Sequence, residues 1–131
     1  AGTRVLGGLA GPLDPTHSFA ATIMTVATTI PDDQDDAVVL ADSARLIRQD
    51  IGGFIMLEDM AWPATPRGAF LRTGIYIEGT VPITMCQWAW IHHAQGGQRF
   101  LVTATATATT DQFPFVADDI VQIIPTIEVA L

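Results

Sequence analysis

The side chains best suited to chemistry in this chain are three histidines, one cysteine and a few carboxylates. His92 and His93 are adjacent. Neighbours on a strand point to opposite faces, so these two cannot hold one ion together, and a metal site would need carboxylates from elsewhere. The plainer account is a strand end beside a hairpin turn, with one ring wet and one packed. His17 stands next to Ser18. A nucleophile, however, needs a base within hydrogen-bond reach and a third group orienting that base, which sequence neighbours rarely supply. Cys86 lies among apolar residues, where a thiol is inert rather than activated. Glu58, Asp59 and Glu78 are candidate acids, but a carboxylate pair for hydrolysis depends on a gap in space. Solvated charge at strand ends explains them as well. Gly7, Gly8 and Gly11 lack the strand-glycine-helix context of a phosphate-cradling loop. The chain therefore reads as non-enzymatic, with no cofactor and no structural metal. The competing account is a small enzyme whose site is built from scattered residues such as His92, His93 and Glu78.

Residues suited to recognition are more prominent. Trp88 and Trp90 alternate onto one face of a strand together with Cys86 and His92. Such a row can line an apolar cleft or a partner groove, because aromatic anchors give large contact area. Core packing is the plainer account of the same row. Tyr76 and Arg72 fall on a neighbouring strand. These five residues, Trp88, Trp90, His92, Tyr76 and Arg72, form the candidate binding set. The acidic run Asp32, Asp33, Asp35 and Asp36 has a calcium loop as its functional explanation, but it has neither the glycine nor the glutamate that an EF-hand requires. Acidic residues also favour a helix N-terminus, where side-chain oxygens cap amides and the dipole is positive, and this account is preferred.

Composition limits the partners. The chain has 131 residues, 49% hydrophobic and 15% charged, with a net charge of −8. That size suits one domain spanning residues 1–131 and is long enough to bury a core without staples. It contains no lysine. Nucleic-acid binding relies on clustered basic residues neutralising phosphates, so a polyanion is excluded as partner. The single cysteine excludes an intrachain disulfide and a multi-cysteine zinc site. No apolar run approaches the ~18 residues of an integral membrane span.

Residue periodicity places these side chains on elements. Residues 1–16 are rich in Gly and Pro and read as an irregular lead-in, with Arg4 to Leu6 as a short edge strand. A strand covers Phe19 to Ile30. A helix covers about Ala37 to Asp50, with an apolar stripe of Ala37, Leu40, Ala44, Ile47 and Ile51, and stops at Gly52-Gly53. A short strand covers Phe54 to Met60, and Trp62, Pro63, Pro66 and Gly68 make a loop. Further strands cover Ala69 to Glu78, Ile83 to His93 and Phe100 to Thr109, with turns at Gly79-Thr80 and Gly96-Gly97. In the last strand Phe100, Val102, Ala104, Ala106 and Ala108 point one way, and Leu101 and the threonines the other. The alanines leave room for a helix, so Ala104 and Ala106 are expected beneath one. The opposite face would then be free for a partner, and a one-residue slip decides which face carries the tryptophans. A final helix, capped by Thr110 or Asp111, carries Phe113, Val116, Ile120, Ile123 or Ile124, and Ile127 at helical spacing, and ends or bends at Pro125. Residues after Thr126 form a helical turn or short strand. The predicted class is α+β, an antiparallel sheet with helices packed on it.

The order of elements, the "DIGGF" helix end, the segment "WPATPRGAFLRTGIYIEG" and the segment "ITMCQWAWIHHAQGGQRFLVTATATATTDQF" carry a resemblance. Over residues 17–131 the chain resembles the actinobacterial LpqN/LpqT lipoproteins, which have the PsbP-like α+β fold. It departs from them in having no lipobox cysteine near Ala1 and a reduced N-terminal hairpin. The resemblance implies a non-catalytic binding or adaptor role. The expected partner is a protein or a lipid-like envelope molecule, and a homo-oligomer or structural subunit is the third account. The chain as it stands reads as cytoplasmic, or as a cell-envelope protein if a signal or lipobox has been removed.

Overall fold

Runs rich in Thr, Val, Ile and aromatic residues, punctuated by Gly and Pro, favour extended segments. The structure, a computed structural model, describes residues 2–63 and 68–131. Its strands are β1 (Thr3–Asp14), β2 (Phe19–Ile30), β3 (Ile55–Trp62), β4 (Ala69–Glu78), β5 (Val81–His93) and β6 (Arg99–Thr109). Its α-helices are α1 (Asp36–Asp50) and α2 (Phe113–Ile123), the latter followed by a 3-10 turn at Ile124–Thr126. The strands form a six-stranded sheet in the order β1-β2-β6-β5-β4-β3, with every neighbouring pair antiparallel. This is the α+β class that the periodicity predicts. The part of the expected Trp62 to Gly68 loop that contains Pro66 lies outside the described residues.

The N-terminal segment differs from expectation. The edge strand expected at Arg4 to Leu6 is present but runs much further: the segment is a full strand rather than an irregular lead-in, paired with β2 from Thr3 opposite Thr28 to Asp14 opposite Phe19. A complete β1–β2 hairpin therefore stands where a reduced one was expected. The physical reason is that backbone pairing does not need side-chain alternation. Every residue of β1 except Asp14 is exposed, so no buried period marks the strand. Register shifts at Val5/Gly7 and Ala10/Leu13 break the pattern further. The β5–β6 turn is as expected, with Gly96 and Gly97 at φ of +88° and +84°, a region that side chains strongly disfavour.

The helices correct smaller points. The face that α1 buries is Ser43, Ala44 and Ile47, while Ala37 is exposed. Asp35 occupies the N-cap position, but its side chain makes no capping bond. In α2 the N-cap is Gln112 rather than Thr110 or Asp111. The Thr109 hydroxyl accepts from the Gln112 amide at 3.2 Å and serves that end instead. Pro125 converts the helix end to the 3-10 turn, and no regular element follows Thr126.

Strand register decides which face carries the tryptophans. Cys86 lies opposite Ala106, Trp88 opposite Ala104 and Trp90 opposite Val102. Directly opposed residues share a face, so the tryptophans lie on the alanine face. That face is covered by α2, whose Val116 and Ile120 join Ala104, Ala106, Trp88 and Trp90 in one core cluster, with Ile127, Val129 and Leu131 packed against it. Large and small side chains alternate across this layer, which lets it fill space at native density. The other face is only partly free. There α1 packs against β5 and β3 with Thr103 and Thr105 half-buried beside it, while Met24 on β2 stays exposed.

Ala104 has no exposed surface. Replacing it by leucine should overpack the α2 layer and lower stability by ~1–3 kcal/mol. Urea denaturation of Ala104→Leu checks this, and an unchanged midpoint would contradict the packing.

Candidate functional site

The five candidate binding residues divide between the two faces. Trp88 and Trp90 are 1% and 5% exposed, so they form core rather than an open aromatic surface. His92 shares their face at the sheet's end, with its ring 6.4 Å from that of Phe100. Arg72 and Tyr76 lie on the α1 face, where Tyr76 stacks obliquely on Phe54. Burial raises the Tyr76 phenol pKa, and Glu78 adds to the effect. The scattered-residue site does not assemble either. His92 and His93 point to opposite faces at one end of β5, and Glu78 pairs with Val81 at the other end. Burial likewise raises the Cys86 thiol pKa, which leaves it without nucleophilic character at neutral pH.

Three polar posts hold the elements in place. Arg72 is 1% exposed and donates to Asp59 at 2.9 Å, to the Ser43 hydroxyl at 2.7 Å and to the Leu40 carbonyl at 2.7 Å. One planar guanidinium thus ties α1 to β3 and β4. Arg99 donates to Asp36 and to the carbonyls of Pro31 and Gln34, and His93 lies 3.3 Å from Asp36. Asp36 is therefore an ion-pair anchor rather than a cap. At the opposite end, Asp14 accepts from the Thr109 hydroxyl at 2.6 Å and from the Thr16 amide at 2.9 Å. The Thr109 bond holds the Asp14 carboxyl below its ordinary pKa, with partial desolvation opposing and the Thr16 and His17 amides assisting.

These posts leave one stretch of sheet uncovered. On its sheet side α2 packs mainly on β6 and β2, so β1 is less covered by the helix. The side of β1 that faces α2 carries Gly7, Leu9 and Gly11, with Leu9 opposite Ile23 and Gly7 opposite Thr25. A Cβ on Gly7 would meet no atom within 4 Å. Missing side chains on β1 and the overhang of α2 together make an apolar trough. Its floor is Ala21 and Ile23, and its wall is Val116, Ile120 and Ile123. It continues past Ile123 to Ile127 and Val129 of the C-terminal segment. The two adjoining hollows measure about 210 and 270 Å³. Singly they fall below, and together within, the ~300–1,000 Å³ of ordinary ligand sites. Sequence reasoning missed this site. Its only signal was the glycine spacing of a segment taken as irregular.

No family model matches the sequence, and no curated protein is similar to it. Solved structures do share its fold. LpqN of Mycobacterium tuberculosis, involved in cell envelope biogenesis, matches with a TM-score of 0.74 at 23% identity over 95% of this chain and 76% of LpqN. A Pseudomonas aeruginosa protein of unknown function, PA94, a candidate regulator, matches with a TM-score of 0.76 at 12% identity over 100% of this chain and 86% of its own.

Two of the posts have measurable consequences. Removing Asp59 leaves the Arg72 guanidinium buried with two of its three hydrogen bonds. Because Asp59 is 38% exposed, Asp59→Ala should cost about 1–3 kcal/mol, below the ~3–5 of a fully buried pair. Thermal melts of this variant, which should expose α1 first, check it. Asp14 has its folded-state pKa depressed, so its contribution is complete above the unfolded value of 3.8 and is lost as pH falls through the folded one. Asp14→Asn should therefore be less stable than the parent at neutral pH, and the gap should close in acid. A gap independent of pH would contradict this.

Proposed function

We propose that the chain is a non-catalytic binding domain that holds an apolar molecule or segment in the trough between α2 and β1. The observation that carries this proposal is the trough itself. Leu9, Ile23, Ile120 and Ile123 line it and Gly7 leaves space in it; Ile23 and Ile120 are largely buried, so its solvent-open apolar surface comes mainly from Leu9 and the half-buried Ile123. Contiguous exposed apolar surface on a small chain marks an interaction site. Leu9, on the α2 side of the hairpin, is 57% exposed.

A binding role also agrees with what the other candidate sites do. Arg72, Asp36 and Asp14 are engaged in structural contacts. Kinship with the LpqN family is part of the proposal, supported by the shared fold and 23% identity, and a cell-envelope setting follows from that kinship. Among the described residues, no helix is long and apolar enough to cross a membrane.

Gly7→Leu tests the site directly. A Cβ there meets no atom within 4 Å, so the new side chain starts in open space and extends into the trough. N-phenyl-1-naphthylamine, a neutral apolar fluorophore, should brighten with the parent protein and several-fold less with Gly7→Leu at equal thermal stability. Equal brightening by both proteins would reject the trough as the binding site.

A further inference from the structure

The trough ends in a third hollow of about 420 Å³, between the β1–β2 turn and the first turn of α2. The two spaces share Pro12, Val116 and Asp119 in their walls, so they adjoin. The chemistry changes along the way. At this mouth Pro12, Pro15 and Val116 give an apolar base, and Phe115 stands at the lip with 84% of its surface in solvent. The polar groups around them are Asp14, Thr16, Asp111, Gln112 and Asp119.

The hydrogen bonding of these groups is one-sided. Both oxygens of Asp14 are occupied, by the Thr109 hydroxyl and the Thr16 amide. The Gln112 side-chain nitrogen donates to the Pro12 carbonyl at 3.1 Å, which fixes the amide's orientation. Gln112 Oε1 is then a buried acceptor with no partner. That oxygen is shielded from solvent, so an incoming donor reaches it only if the side chain turns toward the mouth. Asp111 faces solvent and has only His17 near it, at 3.8 Å. No arginine lines the mouth, and the chain carries −8 in all.

An anionic headgroup at the mouth would meet like charge. A guanidinium fits it. It offers five donors in a rigid plane, stays charged at every working pH, and stacks on an aromatic face. We infer that the mouth takes an arginine side chain of a protein partner whose adjoining apolar residues lie in the trough, an assignment that rests on the trough being the binding site. Phe115 stacks on the guanidinium, and Asp111 and Asp119 pair with it. The partner is thus a polypeptide with arginine beside an apolar run.

The test uses a capped synthetic peptide with one arginine beside an apolar run, and a twin with citrulline, which keeps the shape and loses the charge. Affinities are measured by calorimetry, and contacts by amide chemical shifts. The arginine peptide should bind the parent about tenfold tighter than its twin, as a charge-assisted pair replaces a neutral one. Its contacts should include the Gln112 side-chain amide. In Asp111→Asn and in Phe115→Ala that preference should shrink several-fold while the citrulline peptide binds as before, and Gly7→Leu should weaken both peptides. Equal binding of the two peptides to the parent overturns the arginine assignment and leaves the trough standing. Loss of the preference in Asp32→Asn as great as in Asp111→Asn, or equal competition by spermidine, overturns it as generic attraction to an acidic chain. Failure of both peptides, with the neutral fluorophore still bound, overturns the polypeptide partner while sparing the trough.

Discussion

The pairing of Trp88 with Ala104 is the contact on which the rest of the molecule depends. A tryptophan on β5 fills the space above an alanine on β6, and the same exchange of sizes repeats at Cys86 with Ala106. Alanines at 104, 106 and 108 keep that layer low over β6, so α2 can lie close with Val116 and Ile120 inserted. The tryptophans are covered further along by Trp62, set edge-on at 6.0 Å, and by the apolar C-terminal segment. If the register of β5 slipped by one residue, the tryptophans would move to the α1 face and the alanine layer would lose its filling.

The same arrangement explains why the second face is different. There the buried centre is polar. Arg72 reaches from β4 to Asp59 on β3 and to the first half of α1, and it positions a helix whose own apolar stripe is short. Burying a guanidinium is costly unless every donor direction is answered, so the contact specifies geometry more than it adds stability. Arg99 does similar work for the chain entering α1, with Asp36 and two carbonyls. With α1 held on the other face, α2 packs over the alanine layer of β6. That position leaves β1 overhanging, and the trough is the result of this geometry rather than of any cluster of reactive side chains.

A site of this kind explains why motif reasoning finds little in the chain. The groups that look chemical are spent on structure. Asp14 organises the hairpin turn and, through Thr109, the start of α2. His93 leans on Asp36, and Cys86 lies buried with a raised pKa. The residues that shape the trough are glycines and aliphatics, which carry no signature. Shape in such a site comes from what is missing, namely side chains on β1 and a helix long enough to cover it.

The α+β class, strands β2, β4, β5 and β6, helix α1 and the two faces of β6 were legible in the residues, because each has a buried period of its own and turn residues at its ends. Gly96-Gly97 marked a hairpin for the same local reason: only glycine adopts that backbone cheaply. Strand β1 was not legible, since an edge strand exposed on both faces has no period to read. The sequence likewise placed Trp88, Trp90 and Cys86 together on one face of β5, but could not say which. That answer depends on which residue of β6 lies opposite, and pairing register is settled by the packing of whole layers, not by any strand alone. The trough and its acidic mouth belong to the same category. They join Gly7 to Ile123 and Pro12 to Phe115, pairs about a hundred residues apart, and only the closing of the sheet beneath α2 brings them within reach.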